Sequence, residues 1–187
     1  MLMLCLLLLK KDNRIFLSLQ RMRKACLFLL MIALLGLYAQ NSFAQLPPDK
    51  KEMPAFKIQM TDSKYFTAAD LKKNEPVILI YFSPTCDHCK AFTEKLLPHI
   101  NELGKTQIVM VTFLPINEIV PFENEYHLEK YPNLKIGTEG YSFTVQKYYA
   151  IRNFPMTAVF NKHEVLDTIY RQAPDVNVLV SEVKKLK

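Results

Sequence analysis

The chain has 187 residues, half of them hydrophobic (50%) and 22% charged. This balance excludes global disorder and suits one domain with a sizeable core and short extra segments. The net charge of +6 invites a nucleic-acid or membrane reading until the charge is located. Residues 1–44 hold six basic residues (Lys10, Lys11, Arg14, Arg21, Arg23, Lys24) and one acid, Asp12; residues 45–187 hold eighteen basic and seventeen acidic residues, a net of +1. The body of the protein is nearly neutral, so its bulk charge gives no reason to expect a nucleic acid as a partner.

The basic excess sits where an export signal carries it. Met22-Arg23-Lys24 forms a short basic head, and Ala25 to Ala39 is a fifteen-residue apolar run. Ser42-Phe43-Ala44 places small residues at the −3 and −1 positions of a cut before Gln45. The run is shorter than the roughly 20 residues of a membrane-spanning helix. Residues 22–44 are therefore expected to be a signal peptide, or an N-terminal anchor if it is not cleaved. Either way the rest of the chain is expected in the periplasm or another extracytoplasmic space. Residues 1–21, with a second apolar stretch at Met1–Leu9, are expected to be an upstream extension, with translation beginning at Met22.

Residues 45–54 (QLPPDKKEMP) read as a linker rich in Pro and charge, and residues 55–187 as one domain. Ala55–Met60 is a short strand candidate, and Thr67–Leu71 reads as a capped helical turn. Pro76–Phe82 (PVILIYF) is a continuous apolar run of the kind found in strands buried on both faces. Ser83-Pro84-Thr85 breaks it. Cys86 to Gly104 has helical spacing at Phe92, Leu96, Leu97 and Ile100, with a kink expected at Pro98 and a stop at Gly104. Gln107–Phe113 is a second buried strand, and strand, helix and strand predict a right-handed parallel unit. Ile116–Lys130 reads as a helix interrupted near Pro121, Tyr131–Gly140 as a loop and Val145–Ile151 as a short helix. Met156–Phe160 and Val165–Tyr170 read as an antiparallel hairpin. Asp175–Leu186 closes the chain as a helix with Val176, Leu179, Val180 and Val183 on one face.

The chemistry is concentrated in Cys86-Asp87-His88-Cys89. Of the four cysteines, Cys5 and Cys26 fall in the segments expected to be absent from the mature chain, which leaves Cys86 and Cys89. In an oxidising compartment disulfides persist, but a C-x-x-C pair closes a tiny loop and makes a poor staple. Thiol–disulfide exchange needs an accessible thiolate. A strand-to-helix junction supplies unpaired N–H groups and a partial positive charge at Cys86, and Cys89 follows one helical turn later. The competing readings are half of a zinc site and two unrelated buried cysteines. Zinc needs two further ligands, and only His88, His99, His127 and His163 remain, with no second tight pair among them.

Two segments, PVILIYFSPTCDHCK and Ile151-Arg152-Asn153-Phe154-Pro155-Met156-Thr157, make the region from Pro54 to Lys187 resemble the thioredoxin-fold oxidoreductases, particularly the exported TlpA/ResA-like group. The resemblance implies an α/β thioredoxin fold, a central mixed β-sheet with helices on both faces. It implies that Phe154–Pro155 is a cis peptide facing the cysteines and shaping the substrate site, with Cys86 the catalytic nucleophile and Cys89 the resolving thiol. It also implies that His88 tunes the pair as in the oxidising members of the family, while Asp87 opposes it by charge. Three departures stand out. Thr85 replaces the tryptophan many members carry before the first cysteine. Ile80 stands where thioredoxin buries an acid, with Glu94 a substitute to consider. Ser83 occupies the place of the threonine a peroxidase of this fold would need.

The function expected is that of an exported thiol–disulfide oxidoreductase working in the reducing direction on cysteines of other exported proteins. No cofactor beyond the Cys86–Cys89 disulfide is expected, and no metal; the pair would be recharged by an electron-donor or acceptor protein, and the resemblance points to a membrane electron carrier if the pair works as a reductase. The alternatives are a thiol peroxidase of the same fold, a copper-binding module and a non-catalytic interaction domain.

Overall fold

A computed structural model describes residues 51–186 together with Lys24 and Met31. The chain divides into two compact units, Met1–Leu46 and Pro47–Lys187. The expected upstream extension, signal segment and first part of the linker lie outside the described residues, apart from Lys24 and Met31, which are helical and exposed. Among the described residues no helix is long and apolar enough to cross a membrane.

The second unit is built on one mixed seven-stranded sheet: β1 (Lys57–Met60), β2 (Tyr65–Thr67), β3 (Val77–Tyr81), β4 (Gln107–Thr112), β5 (Leu134–Thr138), β6 (Met156–Phe160) and β7 (Leu166–Tyr170), in spatial order β2-β1-β5-β4-β3-β6-β7. β3, β4 and β5 are parallel neighbours, and β6 returns antiparallel to β3. The apolar runs at β3 and β4 are central and buried at every residue, as runs covered on both faces must be. Between β3 and β4 lie α1 (Asp87–Leu96), one 3₁₀ turn at Leu97–His99 and α2 (Ile100–Leu103). Pro98 sits in that turn, where a residue without an N–H breaks the α-helical ladder. Gly104, at φ 62°, ends α2 in a conformation that favours glycine.

Two expectations are corrected. The first is the break near Pro121: α3 runs unbroken over Ile116–Tyr126 with Pro121 inside it. Pro121 and Asn117, whose carbonyl loses its donor, are both exposed, which leaves that carbonyl open to solvent. The second is the loop at Tyr131–Gly140, which contains β5, paired parallel to β4 and antiparallel to β1. At Gly137 a Cβ would stand 2.5 Å from the Gln59 carbonyl oxygen, so glycine is what lets β1 approach β5. The stretch expected as linker is engaged at its end: Leu166 donates to the Lys51 carbonyl at 2.7 Å, and Glu52 bridges Val165 beside β7.

Alternation along the strands divides the core. Ile78 and Ile80 of β3, Ile108 and Met110 of β4 and Ile136 of β5 pack with Phe92 and Leu96 of α1, Ile119 and Phe122 of α3, and Leu179 and Val183 of α5 (Val176–Lys185). The intervening residue Tyr81 points to the opposite face. There its hydroxyl meets Glu139, the same carboxylate that accepts from the first turn of α4 (Thr144–Tyr149). The helices therefore cover both faces. The capped turn expected at Thr67–Leu71 is present, with Asp70 closing a capping box on Thr67, and the Asp175 side chain caps α5 by accepting from Asn177 and Val178.

Candidate active site

Parallel strands end together, and ligand sites of such sheets form beyond their carboxyl ends. Here β3, β4 and β5 deliver Ser83–Cys89, Phe113 and Glu139–Phe143 to one end of the sheet. The antiparallel β6 begins at that end, and its Met156 is paired with Tyr81. Phe154–Pro155 thus lies beside the chain leaving β3, and its peptide bond is cis.

Beyond Phe82 the chain turns, with Cys86 N–H donating to the Ser83 carbonyl at 3.1 Å. Cys86 takes the extended N-cap conformation (φ −89°, ψ 119°), and its carbonyl receives the N–H groups of Cys89 and Lys90, both at 3.0 Å. The two thiols are free and unequally placed. Cys86 is half-buried, and its Sγ donates to the Phe154 carbonyl oxygen at 3.9 Å. Cys89 is 1% exposed, and its sulfur accepts from Ser83 N–H at 3.5 Å. Burial pushes the Cys89 thiol up to about 12, aided by the neighbouring Cys86 thiol and opposed by the Ser83 N–H. One reachable thiol above one concealed thiol is an arrangement suited to a two-step exchange, since the second sulfur is withheld until the first has reacted.

Cys86, Cys89, Phe154 and Pro155 are thus gathered at one place, with Pro155 buried and His88 exposed in the first turn of α1. Glu94 is elsewhere: it is exposed and accepts from the Tyr126 hydroxyl at 3.1 Å. Ser83 is buried, with its hydroxyl 3.1 Å from that of Thr85. His99 pairs with Glu102, His127 caps the end of α3, and His163 lies in the β6–β7 turn. Among the described residues no group of three or more His, Cys, Asp or Glu is placed to hold a metal ion.

Sequence reasoning missed Glu139 and the use of Tyr81. Glu139 is 6% exposed and accepts from the Tyr81 hydroxyl at 2.7 Å, Val145 N–H at 2.7 Å and Gln146 N–H at 3.4 Å. Tyr81 in turn stacks on Phe154, with ring centroids 5.8 Å apart. An acid directly after a buried strand and before a helix start is the signal that would have found it, but with β5 read as a loop that signal was lost. Of the three aromatic residues near this end of α4, Tyr149 is core, Tyr148 donates to the Glu52 carbonyl at 2.9 Å, and Phe154 faces the cysteines.

A family model described as Thioredoxin matches residues 57–153. The structure is similar to that of a secreted Mycobacterium tuberculosis disulfide oxidoreductase homologous to E. coli DsbE, at 17% identity and TM-score 0.60, covering 71% of this chain and 96% of that one. It is similar to the exposed lipoprotein thioredoxin Etrx1 of Streptococcus pneumoniae (20%, 0.56, 71% and 99%). A peroxiredoxin-like protein from Aquifex aeolicus is similar too (12%, 0.61, 73% and 86%). At these identities the structural likeness is one of fold. No curated protein matches the chain.

Proposed function

The chain belongs to the thioredoxin family of thiol–disulfide oxidoreductases, and from that premise we propose that it is an exported member, of the TlpA/ResA-like group, that reduces disulfides of other exported proteins through Cys86 and Cys89. The single observation that carries this reading is the asymmetry of the pair. Cys86 stands half-buried at a helix N-cap beside the Phe154 carbonyl, and Cys89 is concealed one turn below it.

In the proposed cycle the Cys86 thiolate attacks a substrate disulfide, forms a mixed disulfide and expels one substrate thiolate. The Cys89 sulfur, losing its proton, then attacks the Cys86 sulfur and expels the second. The substrate gains two electrons and two protons overall, and the protein is left with a Cys86–Cys89 disulfide. No other cofactor takes part, and a separate protein, a membrane electron carrier in this reading, must reduce the pair again. Phe154 and Pro155 wall the place where the substrate chain lies, and His88 adjusts the balance between dithiol and disulfide.

Export is supported by the basic head, apolar run and small-residue cut at residues 22–44. Two similar structures described as secreted and as an exposed lipoprotein point the same way. The test has two parts. Cys89→Ser should trap mixed disulfides with extracytoplasmic proteins, whereas Cys86→Ser should trap none. Equilibration with dithiothreitol buffers should give a potential near thioredoxin's, about −270 mV or lower. A potential near DsbA's, about −120 mV, would reverse the proposed direction.

A further inference from the structure

An aromatic row runs away from the cysteine pair. Phe154, whose carbonyl meets Cys86, lies 6.3 Å from Phe113 between ring centroids; Phe113 lies 5.9 Å from Phe143, and Phe143 lies 6.2 Å from Tyr141. The first three are half-buried, and Tyr141 is 91% exposed. The row spans three separate loops, those after β4 and β5 and the one before β6. Its membership is not a by-product of local sequence.

Phe143 reaches the row through a left-handed backbone, φ 49°, which is unfavourable for a bulky side chain and persists only where the surroundings impose it. That conformation, at the N-cap of α4, places the ring against Phe113. Lys147 stands over the same ring at 5.5 Å, so the row carries a positive charge beside it.

We infer that this row is a specificity ledge for an extended segment of the substrate polypeptide, taking an aromatic or bulky apolar side chain close in sequence to the exchanging cysteine. The inference rests on the oxidoreductase reading above. Any substrate disulfide must reach the Cys86 sulfur, so the ledge continues directly from the place of exchange. An extended chain advances about 3.3 Å per residue. A substrate side chain on the Phe113–Phe143 rings therefore belongs about two to four residues from its cysteine. Lys147 disfavours a basic residue at that place and leaves an aromatic one unopposed.

The test uses short synthetic peptides, each with one cysteine capped as its glutathione mixed disulfide, carrying Phe, Ala or Lys about three residues from the cysteine. The reduced protein should react with the Phe peptide about tenfold faster than with the Ala peptide, a ratio typical of one apolar side chain finding a site, and slowest with the Lys peptide. Tyr141→Ala and Phe143→Asn, the latter retaining a residue tolerant of the left-handed backbone, should each bring the Phe-to-Ala ratio within about twofold. Equal rates for the Phe and Ala peptides in the native protein would overturn the ledge, as would a ratio that survives both substitutions. Failure to react with every peptide and with hydroxyethyl disulfide would instead overturn the oxidoreductase reading and the ledge with it.

Discussion

The Tyr81 hydroxyl donates a 2.7 Å hydrogen bond to Glu139, a buried carboxylate 58 residues away in sequence. The ring of the same tyrosine stacks on Phe154, whose carbonyl oxygen meets the Cys86 sulfur. One carboxylate at the end of β5 thereby ties together three parts of the site: the strand leading to the cysteines, the first turn of α4 and the loop facing Cys86. Burial and the adjacent carboxylate push the Tyr81 hydroxyl strongly upward, so it remains a donor throughout the working pH range.

Glu139→Ala is expected to cost about 3 kcal/mol or more, because two backbone N–H groups and a phenol lose their acceptor where water does not replace it. Glu139→Gln keeps an acceptor oxygen and should cost about 1 kcal/mol. Urea denaturation of the reduced proteins measures both. Equal losses in the two variants would show that the carboxylate charge, and not the acceptor geometry, holds the region together.

Gly137 and Gly140 lie three residues apart and should respond differently to alanine. At Gly137 the new Cβ would meet the Gln59 carbonyl oxygen at 2.5 Å and the Ile58 Cβ at 3.2 Å, and β1 would have to move. A loss of about 1–3 kcal/mol follows. At Gly140 a Cβ meets open space, and only the left-handed backbone (φ +54°) is penalised, by about 1 kcal/mol. Thermal melts of the two variants should rank them in that order.

Alkaline pH should weaken the reduced protein through Cys89. Its folded value is raised to about 12 from an ordinary value of 9.0. The stabilising contribution is thus complete below about 9 and is lost as pH climbs toward 12, because the unfolded chain releases this proton first. The slope is at most about 1.4 kcal/mol per pH unit. Denaturation between pH 8.5 and about 10.5 should show a steeper decline for the reduced native protein than for Cys89→Ala, since the tyrosine contributions are common to both. Parallel curves would contradict the burial of this thiol.

His88 is exposed in the first turn of α1, between the two cysteines. A cationic side chain beside a C-x-x-C pair favours the thiolate over the disulfide and so the dithiol form. His88→Ala should lower the reduction potential by about 10–30 mV, equivalent to about 0.5–1.4 kcal/mol, as read by equilibration with thiol buffers. A shift to higher potential would transfer the tuning role to other groups.

Much of the frame was legible before folding, and each legible part has a local cause. The β3 run is long and apolar enough to specify a buried strand without knowledge of its neighbours, and Ser83-Pro84-Thr85 ends it. Cys86 and Cys89 then fall where a helix must begin, so their relative placement follows from helical geometry. Asp175 and the Asp70–Thr67 box cap their turns through contacts within three residues. The β6–β7 hairpin is likewise a neighbour pairing.

What the tertiary structure alone decided depends on partners distant in sequence. β5, five residues ending in Gly137 and Thr138, has too little pattern to declare itself; β4 on one side and β1 on the other make it a strand. Because β5 was hidden, so was Glu139 at its end, and with it the link from Tyr81 to Phe154. Phe113, Tyr141, Phe143 and Phe154 are unremarkable singly and become one row only when three strand ends meet. Local periodicity therefore determined the sheet's central strands and the position of the cysteine pair, whereas the surroundings of that pair were set by packing between segments that no short stretch of sequence encodes.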